Sequence, residues 1–383
     1  MNNVPQTATA PVVEDLSTYF VGGRLASKVP PGQKYETSIR TPRQGLDDAV
    51  EAERLGYRRA FISERWNLKE VSAILGGVGA LTSRIELGTC VIPTSARHPL
   101  HAAAFGATMH ALYGPRFILG LGRGEGAYVK SLGLPMGSYP GLVDYVNILR
   151  RLWAGEVVNY DGPAGRFQDM ALGDNYHGPA PKVFFGMLGG PIGSKAAAAA
   201  FDGVLLSPFI TPRGGSRIVS RLRRECAAID RDPDSLRICQ CVVTTPGLGD
   251  EETRQLAHAR AVTALQAPGY RDALATINDW DPAVIERLVA HKQFAGMKAR
   301  NADLGFHRIE LMEPARVIPD QWMLDACAIG SVDECVASLR RFKEAGIHEI
   351  ITYGSTPGQN AELIAAWRES SRLARDSVDN VSR

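Results

Sequence analysis

The sequence predicts an α/β fold, and within that class a single (β/α)8 TIM barrel with insertions. Short apolar runs alternate with amphipathic helical patterns along most of the chain, and eight such runs are present. Most of them are apolar without alternation, which is typical of parallel strands buried on both faces. The chain has 383 residues, of which 45% are hydrophobic, and this is enough for the core of one large barrel.

Helical patterns or longer connections separate the predicted strands. The eight candidate strands span residues 16–21, 58–63, 84–92, 116–122, 182–187, 203–209, 236–245 and 348–354. After the first strand, Thr41 and Gln44 can form a capping box, and Gly56 suits the position just beyond the helix. Before the last strand, Ser331 and Glu334 can form a second capping box. These signals predict helices where the barrel pattern requires them.

The predicted domain occupies residues 15–375, and a disordered tail at 1–14 precedes it. Two connections within the domain are too long for bare loops. Residues 155–181 are rich in Gly, Pro, Asp and Asn, and residues 246–330 contain helical patterns. We interpret both as insertions that cover the active-site face. The larger one lies between the seventh and eighth strands, and the barrel pattern resumes after it.

Composition and charge exclude several classes of function. The formal net charge is +2 and there is no basic cluster with interleaved aromatic residues, so we expect neither nucleic acid nor a membrane surface as a partner. We find no signal peptide and no apolar run of about 20 residues, and we expect a cytoplasmic location. The six cysteines lack metal-binding spacing, so no metal site is predicted.

A glycine-rich stretch, FILGLGRGEGAY at residues 117–128, ends the fourth predicted strand. Within it, Gly122-x-Gly124-x-x-Ala127 matches the glycine pattern of a dinucleotide-binding turn. That turn needs a second strand ending in Asp or Glu about 20 residues later, whereas residues 139–154 show helical periodicity. We therefore reject a Rossmann fold. In a barrel these glycines lie at the active-site end, where bare backbone allows a flat cofactor to approach closely.

Several motifs, in this order, resemble the luciferase-like monooxygenase superfamily, and especially its coenzyme F420-dependent oxidoreductase branch. They are RIELGTCVIPTSARHPL, ALYGPRFILGLGRGE, FFGMLGGP, FDGVLLSPF and AIGSVDECVASLRRFKEAGI. The resemblance implies a barrel that binds F420, a deazaflavin, and transfers hydride to or from a small-molecule substrate. It also implies a homodimer. FMN is the alternative cofactor.

The resemblance also assigns cofactor-binding residues. The family has a non-prolyl cis peptide in a bulge of the third strand, against the cofactor ring, and the motif LGTCVIP places it between Cys90 and Val91. The loop after the fifth strand holds the phosphate-bearing tail, which implies contacts with Gly189 and Gly190 at a helix start. A tight turn without a ligand is the alternative for these two glycines. Gly124 belongs to the Gly-x-Gly-Glu motif beside the ring.

Two catalytic candidates follow from the same resemblance. Glu125, in Gly-x-Gly-Glu, would give or take a proton beside the ring, or alternatively would stabilise the start of the following helix. The second strand of the branch ends in Ser-Asp/Glu-His with a Trp nearby, whereas this chain has Ser63, Glu64, Arg65 and Trp66. Arginine cannot act as a general base. Arg65 would stabilise developing negative charge or bind a substrate carboxylate or phosphate, or alternatively would form a salt bridge with Glu64 or Glu125. Ser63 and Trp66 would line the cofactor site, with core packing as the alternative for Trp66.

The sequence therefore predicts an F420-dependent oxidoreductase that acts on an alcohol, a ketone or an activated carbon–carbon double bond. One alternative is an FMN-dependent monooxygenase on the same barrel. Another is a non-catalytic flavin- or deazaflavin-binding protein, which the arginine at position 65 would suit. A third, a phosphate-binding isomerase or aldolase, would bind no chromophore at all.

Overall fold

The computed structural model describes residues 9–23, 41–65, 69–124, 126–297 and 302–381. Its strands are β1 (Leu16–Tyr19), β2 (Arg59–Ile62), β3 (Glu86–Thr89), β4 (Ile92–Pro93), β5 (Phe117–Gly122), β6 (Val158–Gly162), β7 (Gly165–Met170), β8 (Lys182–Met187), β9 (Gly203–Leu206), β10 (Arg237–Pro246), β11 (Ala328–Gly330) and β12 (Glu349–Tyr353). All eight predicted strands are present among them.

Eight parallel strands close into a barrel, in the order β1–β2–β3–β5–β8–β9–β10–β12 and back to β1. Strand β12 closes the barrel, because it pairs with β1 at Leu16 and Ile350 on one side and with β10 on the other. The predicted (β/α)8 fold is therefore confirmed. In such a barrel the carboxyl ends of all strands meet at one opening, which we call the mouth.

Helices surround the barrel and cover its mouth. They are α1 (Pro42–Leu55), α2 (Val71–Leu81), α3 (Pro99–Tyr113), α4 (Gly126–Ser131), α5 (Tyr139–Trp153), α6 (Pro191–Ala200), α7 (Pro212–Ala227), α8 (Asp250–Leu256), α9 (His258–Gln266), α10 (Tyr270–Asn278), α11 (Pro282–Val289), α12 (Ala302–Gly305), α13 (Asp320–Ala326), α14 (Val332–Glu344) and α15 (Ala361–Val381). The capping boxes predicted at Thr41 and Ser331 are both formed, and Gly56 ends α1 in the left-handed conformation with φ +84°.

Two hydrophobic clusters account for the core. The larger one lies between the outer faces of the strands and the helices. The smaller one fills the barrel interior, where Phe61, Ile118, Phe184, Leu205 and Ile351 belong to the buried set. Because successive residues of a strand point to opposite faces, the residue two positions further along each of these strands also points into the barrel. Apolar side chains thus fill the middle of the barrel interior.

The two insertions take different positions. Residues 155–181 form a hairpin of β6 and β7, which packs on the flank of α3 and α5: Tyr160 donates a hydrogen bond to Asp144 at 2.7 Å, and Phe167 packs against His98. The larger insertion, 246–330, follows the carboxyl end of β10 and contributes α8 to α13 to the mouth side.

The ends of the described chain and its overall character add three observations. The amide groups of Ala10 and Val13 donate to Arg54 and Gly56 at 2.9 and 2.8 Å, which attaches the chain to the barrel before the predicted domain start at residue 15. Among the described helices, none has the length and apolar character needed to span a bilayer. Nor does that part of the chain bring together a group of His, Cys, Asp and Glu side chains able to hold a metal ion.

Candidate active site at the barrel mouth

The third strand is interrupted at the mouth by a bulge. β3 ends at Thr89, a cis peptide bond joins Cys90 and Val91, and β4 resumes the pairing with β5. The cis bond lies where the sequence predicted it. Backbone hydrogen bonds join the bulge to the end of β2, because the Cys90 amide donates to Ile62 at 2.8 Å and the Glu64 amide donates to Val91 at 3.3 Å.

Glycines on the two following strands make room for this bulge. A Cβ added at Gly122 would lie 2.7 Å from a methyl carbon of Val91, and one added at Gly186 would lie 2.5 Å from the other. At Gly120 it would overlap the carbonyl oxygen of Thr89. The alternating glycines of β5 therefore have a packing role that the sequence interpretation, which assigned them only to the cofactor, did not include. The side chain of Val91 therefore packs between the backbones of Gly122 and Gly186.

Aromatic hydroxyl groups from β1 and β12 form another side of the mouth. Tyr19 and Tyr353 pack edge to face, with ring centroids 4.9 Å apart, and both contact the interior cluster. The Tyr19 hydroxyl lies 2.6 Å from the Ser63 hydroxyl at the end of β2. Burial, followed by the nearby Tyr353, raises the pKa of Tyr19 well above its ordinary value. At neutral pH the Tyr19 hydroxyl is therefore a neutral hydrogen-bonding group.

The carboxylate of Glu64 is buried directly behind the bulge. Its side chain is 0% exposed, and Arg97 donates to it at 2.7 Å. Arg97 also bonds to Ser72 at 2.8 Å and to Glu70, and its guanidinium lies over the Phe105 ring. Burial raises the pKa of Glu64 above its ordinary value, although Arg97 opposes that shift. This ion pair connects the end of β2 with the chain that follows β4.

Arg65 is at the mouth, whereas two other predicted site residues cannot be placed. The Arg65 amide donates to the Glu64 carboxylate at 3.2 Å, and its charge acts on the Tyr19 hydroxyl. The Glu64 carboxylate forms an ion pair with Arg97, and the salt bridge of Arg65 with Glu64 or Glu125 stays a prediction. Glu125 and Trp66 lie outside the described residues, and their roles remain predictions.

The start of α6 is open, as the glycine pair predicted. Gly189 has φ +79°, and Gly190 is the N-cap, with no side chain accepting from the helix amides. A Cβ added at Gly190 would meet no atom of the described residues within 4 Å, so the space beside this N-cap is open in that part of the structure. Arg221 donates to the Gly189 carbonyl group and holds the turn.

At Gly124, φ is +76°, and an added Cβ would meet Val129 at 2.5 Å.

The large insertion adds two side chains to the mouth that sequence reasoning missed. The guanidinium of Arg260, on α9, lies over the Tyr353 ring at 4.6 Å from its centroid. Tyr270, at the start of α10, hydrogen-bonds to Ser207 beyond β9, and burial raises its pKa. Strand alternation could have indicated Tyr19 and Tyr353, because each follows an inward-facing position by two residues. No sequence signal indicates which insertion residue reaches them.

Comparisons with known proteins agree with this geometry. A family model described as luciferase-like monooxygenase matches residues 20–349. An F420-dependent glucose-6-phosphate dehydrogenase of Tsukamurella paurometabola is 23% identical over 87% of this chain and 94% of its own length. A protein with the same description from Nocardia farcinica is 34% identical over 64% of this chain and 79% of its own length. Other relatives with this description align over about half of their length.

A solved structure supports the fold independently. The coenzyme F420-dependent tetrahydromethanopterin reductase of Methanopyrus kandleri superposes with a TM-score of 0.69 at 19% identity, covering 89% of this chain and 93% of that chain. The matching family model spans most of the barrel, and the bulge that it implies is present at Cys90 and Val91. The chain therefore belongs to the luciferase-like monooxygenase family.

Proposed function

We propose that this protein is a coenzyme F420-dependent oxidoreductase that transfers hydride between the deazaflavin and a small organic substrate. The observation that carries the proposal is the Val91 surface at the mouth, with Gly122 and Gly186 on either side. The F420 dependence in the names of the relatives at 23% and 34% identity favours this cofactor over FMN. An alcohol, a ketone or an activated carbon–carbon double bond would be the reacting group.

The mouth fits a flat ring on the Val91 side. The two methyl groups of Val91 and the side-chain-free backbones of Gly122 and Gly186 make an apolar surface without projecting atoms. Cys90, half-buried beside it, would contact the same ring. When bound, F420 supplies the hydride chemistry at the C5 atom of its ring, and the protein supplies orientation and water exclusion.

The phosphate-bearing tail would lie at the start of α6. The unpaired amide groups of this ten-residue helix point toward the open space before Gly190, and such amides stabilise an anion. Arg123 adds a positive charge on this side of the mouth: it lies over the Tyr139 ring at 4.2 Å and donates to the Gly137 carbonyl at 2.7 Å. Gly124 would let the chain pass close to the cofactor.

Proton handling would fall to groups around the ring. We assign it to Glu125, with Arg65 stabilising negative charge that develops on the substrate. Ser63 and Trp66 would complete the cofactor contact, and the 2.6 Å hydrogen bond between Tyr19 and Ser63 fixes the position of the Ser63 hydroxyl. Because arginine replaces the histidine of the branch, the proton route must use a carboxylate or a hydroxyl group.

The predicted homodimer would form through α2 and α3. Neither helix contains a charged residue of the Asp, Glu, Lys or Arg type, and their exposed positions include Ala80, Leu81, Ala111 and Leu112, the last 63% exposed. A flat apolar surface of this kind is typical of a subunit contact. Sedimentation velocity of the wild type and of Leu112→Asp tests it, with a dimer and a monomer as the expected results.

We also retain the cytoplasmic location as part of the proposal. All six cysteines are free thiols, and five of them are buried. Unpaired buried thiols are usual in a reducing compartment. Fractionation of the native host would test this location.

Parallel titration of the purified protein with F420 and with FMN tests the proposed function. We expect micromolar or tighter binding of F420 and binding at least about tenfold weaker for FMN, a difference of roughly 1.4 kcal/mol. Preferential FMN binding would instead support the monooxygenase. F420 binding without hydride transfer to any alcohol, ketone or enone would support a carrier, and binding of neither cofactor would contradict the redox function.

A further inference from the structure

Arg260 is unusual among the arginines of the large insertion. Arg254 pairs with Asp320 at 3.1 Å, and Arg271 lies 3.6 Å from Asp272. Arg260 is half-buried, its Nε atom is enclosed, and it makes no hydrogen bond or ion pair with any residue that the structure describes, while its guanidinium lies over the Tyr353 ring. Enclosed polar groups normally have a hydrogen-bonding partner, so this arginine calls for one.

The environment of the guanidinium shows which of its atoms are available. The Nε atom is fully enclosed without a hydrogen-bond acceptor, close to Gly354, where an added Cβ would lie 3.6 Å away. The terminal amino groups are not enclosed in this way. The guanidinium carbon lies 4.6 Å from the centroid of the Tyr353 ring, and this contact limits where the terminal amino groups can lie. A planar, two-oxygen anion would match that edge with two parallel hydrogen bonds.

The position of Arg260 separates it from the proposed cofactor surface. Tyr353 ends β12, and β12 lies four strands from β5 in the closed order of eight. It is therefore across the mouth from Gly122, beside which Val91 packs. A ring placed on Val91 would leave its other face toward Tyr19 and Tyr353. Arg260 is then on the substrate side.

We propose that Arg260 binds a carboxylate group of the substrate, so that the substrates are small carboxylic acids. The inference rests on the proposed function for the identity of the cofactor, but the anion site itself rests on the unpartnered arginine. The Tyr353 ring under the guanidinium also packs against the Tyr19 ring, so two aromatic side chains lie beside the site. A carboxylate would supply the negative charge that the described residues around Arg260 do not provide.

Calorimetric titration with two pairs of probes tests the proposal. The probes are crotonate and cinnamate, each compared with its neutral primary amide, and each is added to the protein with and without saturating F420. We expect at least one carboxylate to bind about tenfold more tightly than its amide, which corresponds to roughly 1.4 kcal/mol. Arg260→Met should remove this preference, and Arg260→Lys should keep part of it because the charge remains.

Arg254→Met is the matched control, since Arg254 lies in the same insertion but is paired with Asp320. It should retain the preference for the carboxylate. Failure of the wild type to bind either carboxylate, unchanged binding by Arg260→Met, or an equal loss in both variants would overturn the inference. Circular dichroism checks that each variant is folded. If the wild type did not bind F420, the proposed function would be contradicted. The titration without F420 would still decide the role of Arg260.

Discussion

At the amino end of the barrel interior, every buried charge has a partner, whereas at the mouth one arginine has none among the described residues. Arg59 is 1% exposed and contacts Glu349, which is 0% exposed, and Glu86 at 2.6 Å. Glu349 also accepts from Ser17 at 2.5 Å and Arg237 at 2.7 Å. The ion pairs and hydrogen bonds of this network join β1, β2, β3, β10 and β12, which is typical of a structural role.

The pKa values of two buried carboxylates show the same contrast. Burial alone would raise the pKa of Glu349, but Arg59 and Arg237 outweigh it and hold the pKa below its ordinary value. For Glu64, behind the bulge, burial outweighs Arg97 and the pKa is raised. At the amino end, two cations stabilise the charged form of Glu349. At the mouth, burial disfavours the charged form of Glu64 more than Arg97 stabilises it. Groups at a functional site commonly differ from structural groups in this way.

The largest expected effect is the loss of the charge network. Glu349→Ala leaves Arg59 buried without its main partner, and breaking a buried pair in this way costs about 3–5 kcal/mol. Urea unfolding should show this loss in the free energy of unfolding. The control is Glu369→Ala, which removes an exposed ion pair with Arg372 and should cause no measurable change. Equal effects of the two variants would refute the structural role of Glu349.

Filling the space beside the bulge should affect the mouth. In Gly186→Ala the new methyl group must displace Val91, and overpacking of this kind costs about 1–3 kcal/mol. We expect the affinity for F420 to fall by about tenfold or more, which a fluorescence titration measures. Val91→Ala in the same chain should recover much of the lost stability, because it removes the contact. Gly173→Ala, where a Cβ meets nothing within 4 Å, is the control.

The pH dependence of stability should separate the two carboxylates. Glu349 has a lowered pKa, so its stabilisation is present above the ordinary value of 4.5 and is lost as the pH falls below it. Glu64 has a raised pKa, so its contribution is greatest below 4.5 and is lost as the pH rises through its folded value. Urea unfolding of Glu349→Gln and Glu64→Gln between acidic and neutral pH should give differences from wild type with opposite slopes. Parallel slopes would contradict the assignment.

The smallest effect is expected from Tyr19→Phe. It removes the hydrogen bond to Ser63 but leaves the ring in contact with Tyr353, so the cost in stability should be about 0.5–1.5 kcal/mol. Thermal unfolding measures it. The control is Tyr145→Phe, which loses a 3.0 Å hydrogen bond to the Arg97 carbonyl away from the mouth. Phe20→Tyr is less suitable because Phe20 is buried. Only Tyr19→Phe should also change hydride-transfer rates.

The fold was predictable because each strand is an uninterrupted apolar run and the helix ends carry local signals such as Thr41 and Ser331. The position of the cis bond came from the motif around Cys90 and not from any physical property of that segment. The packing role of Gly122 and Gly186 was not predictable, since it depends on a bulge in a strand distant in sequence. The contact between Arg260 and Tyr353 joins residues from an insertion and from the last strand, and no local pattern encodes it.

The central claim is that the mouth binds F420 against Val91 while the amino end only stabilises the barrel. The most direct measurement is the dissociation constant for F420 of Gly186→Ala and of Glu349→Gln, at a temperature where both are folded. We expect Gly186→Ala to bind F420 about tenfold more weakly than wild type and Glu349→Gln to bind it within about twofold of wild type. Weaker binding by Glu349→Gln together with unchanged binding by Gly186→Ala would contradict the account.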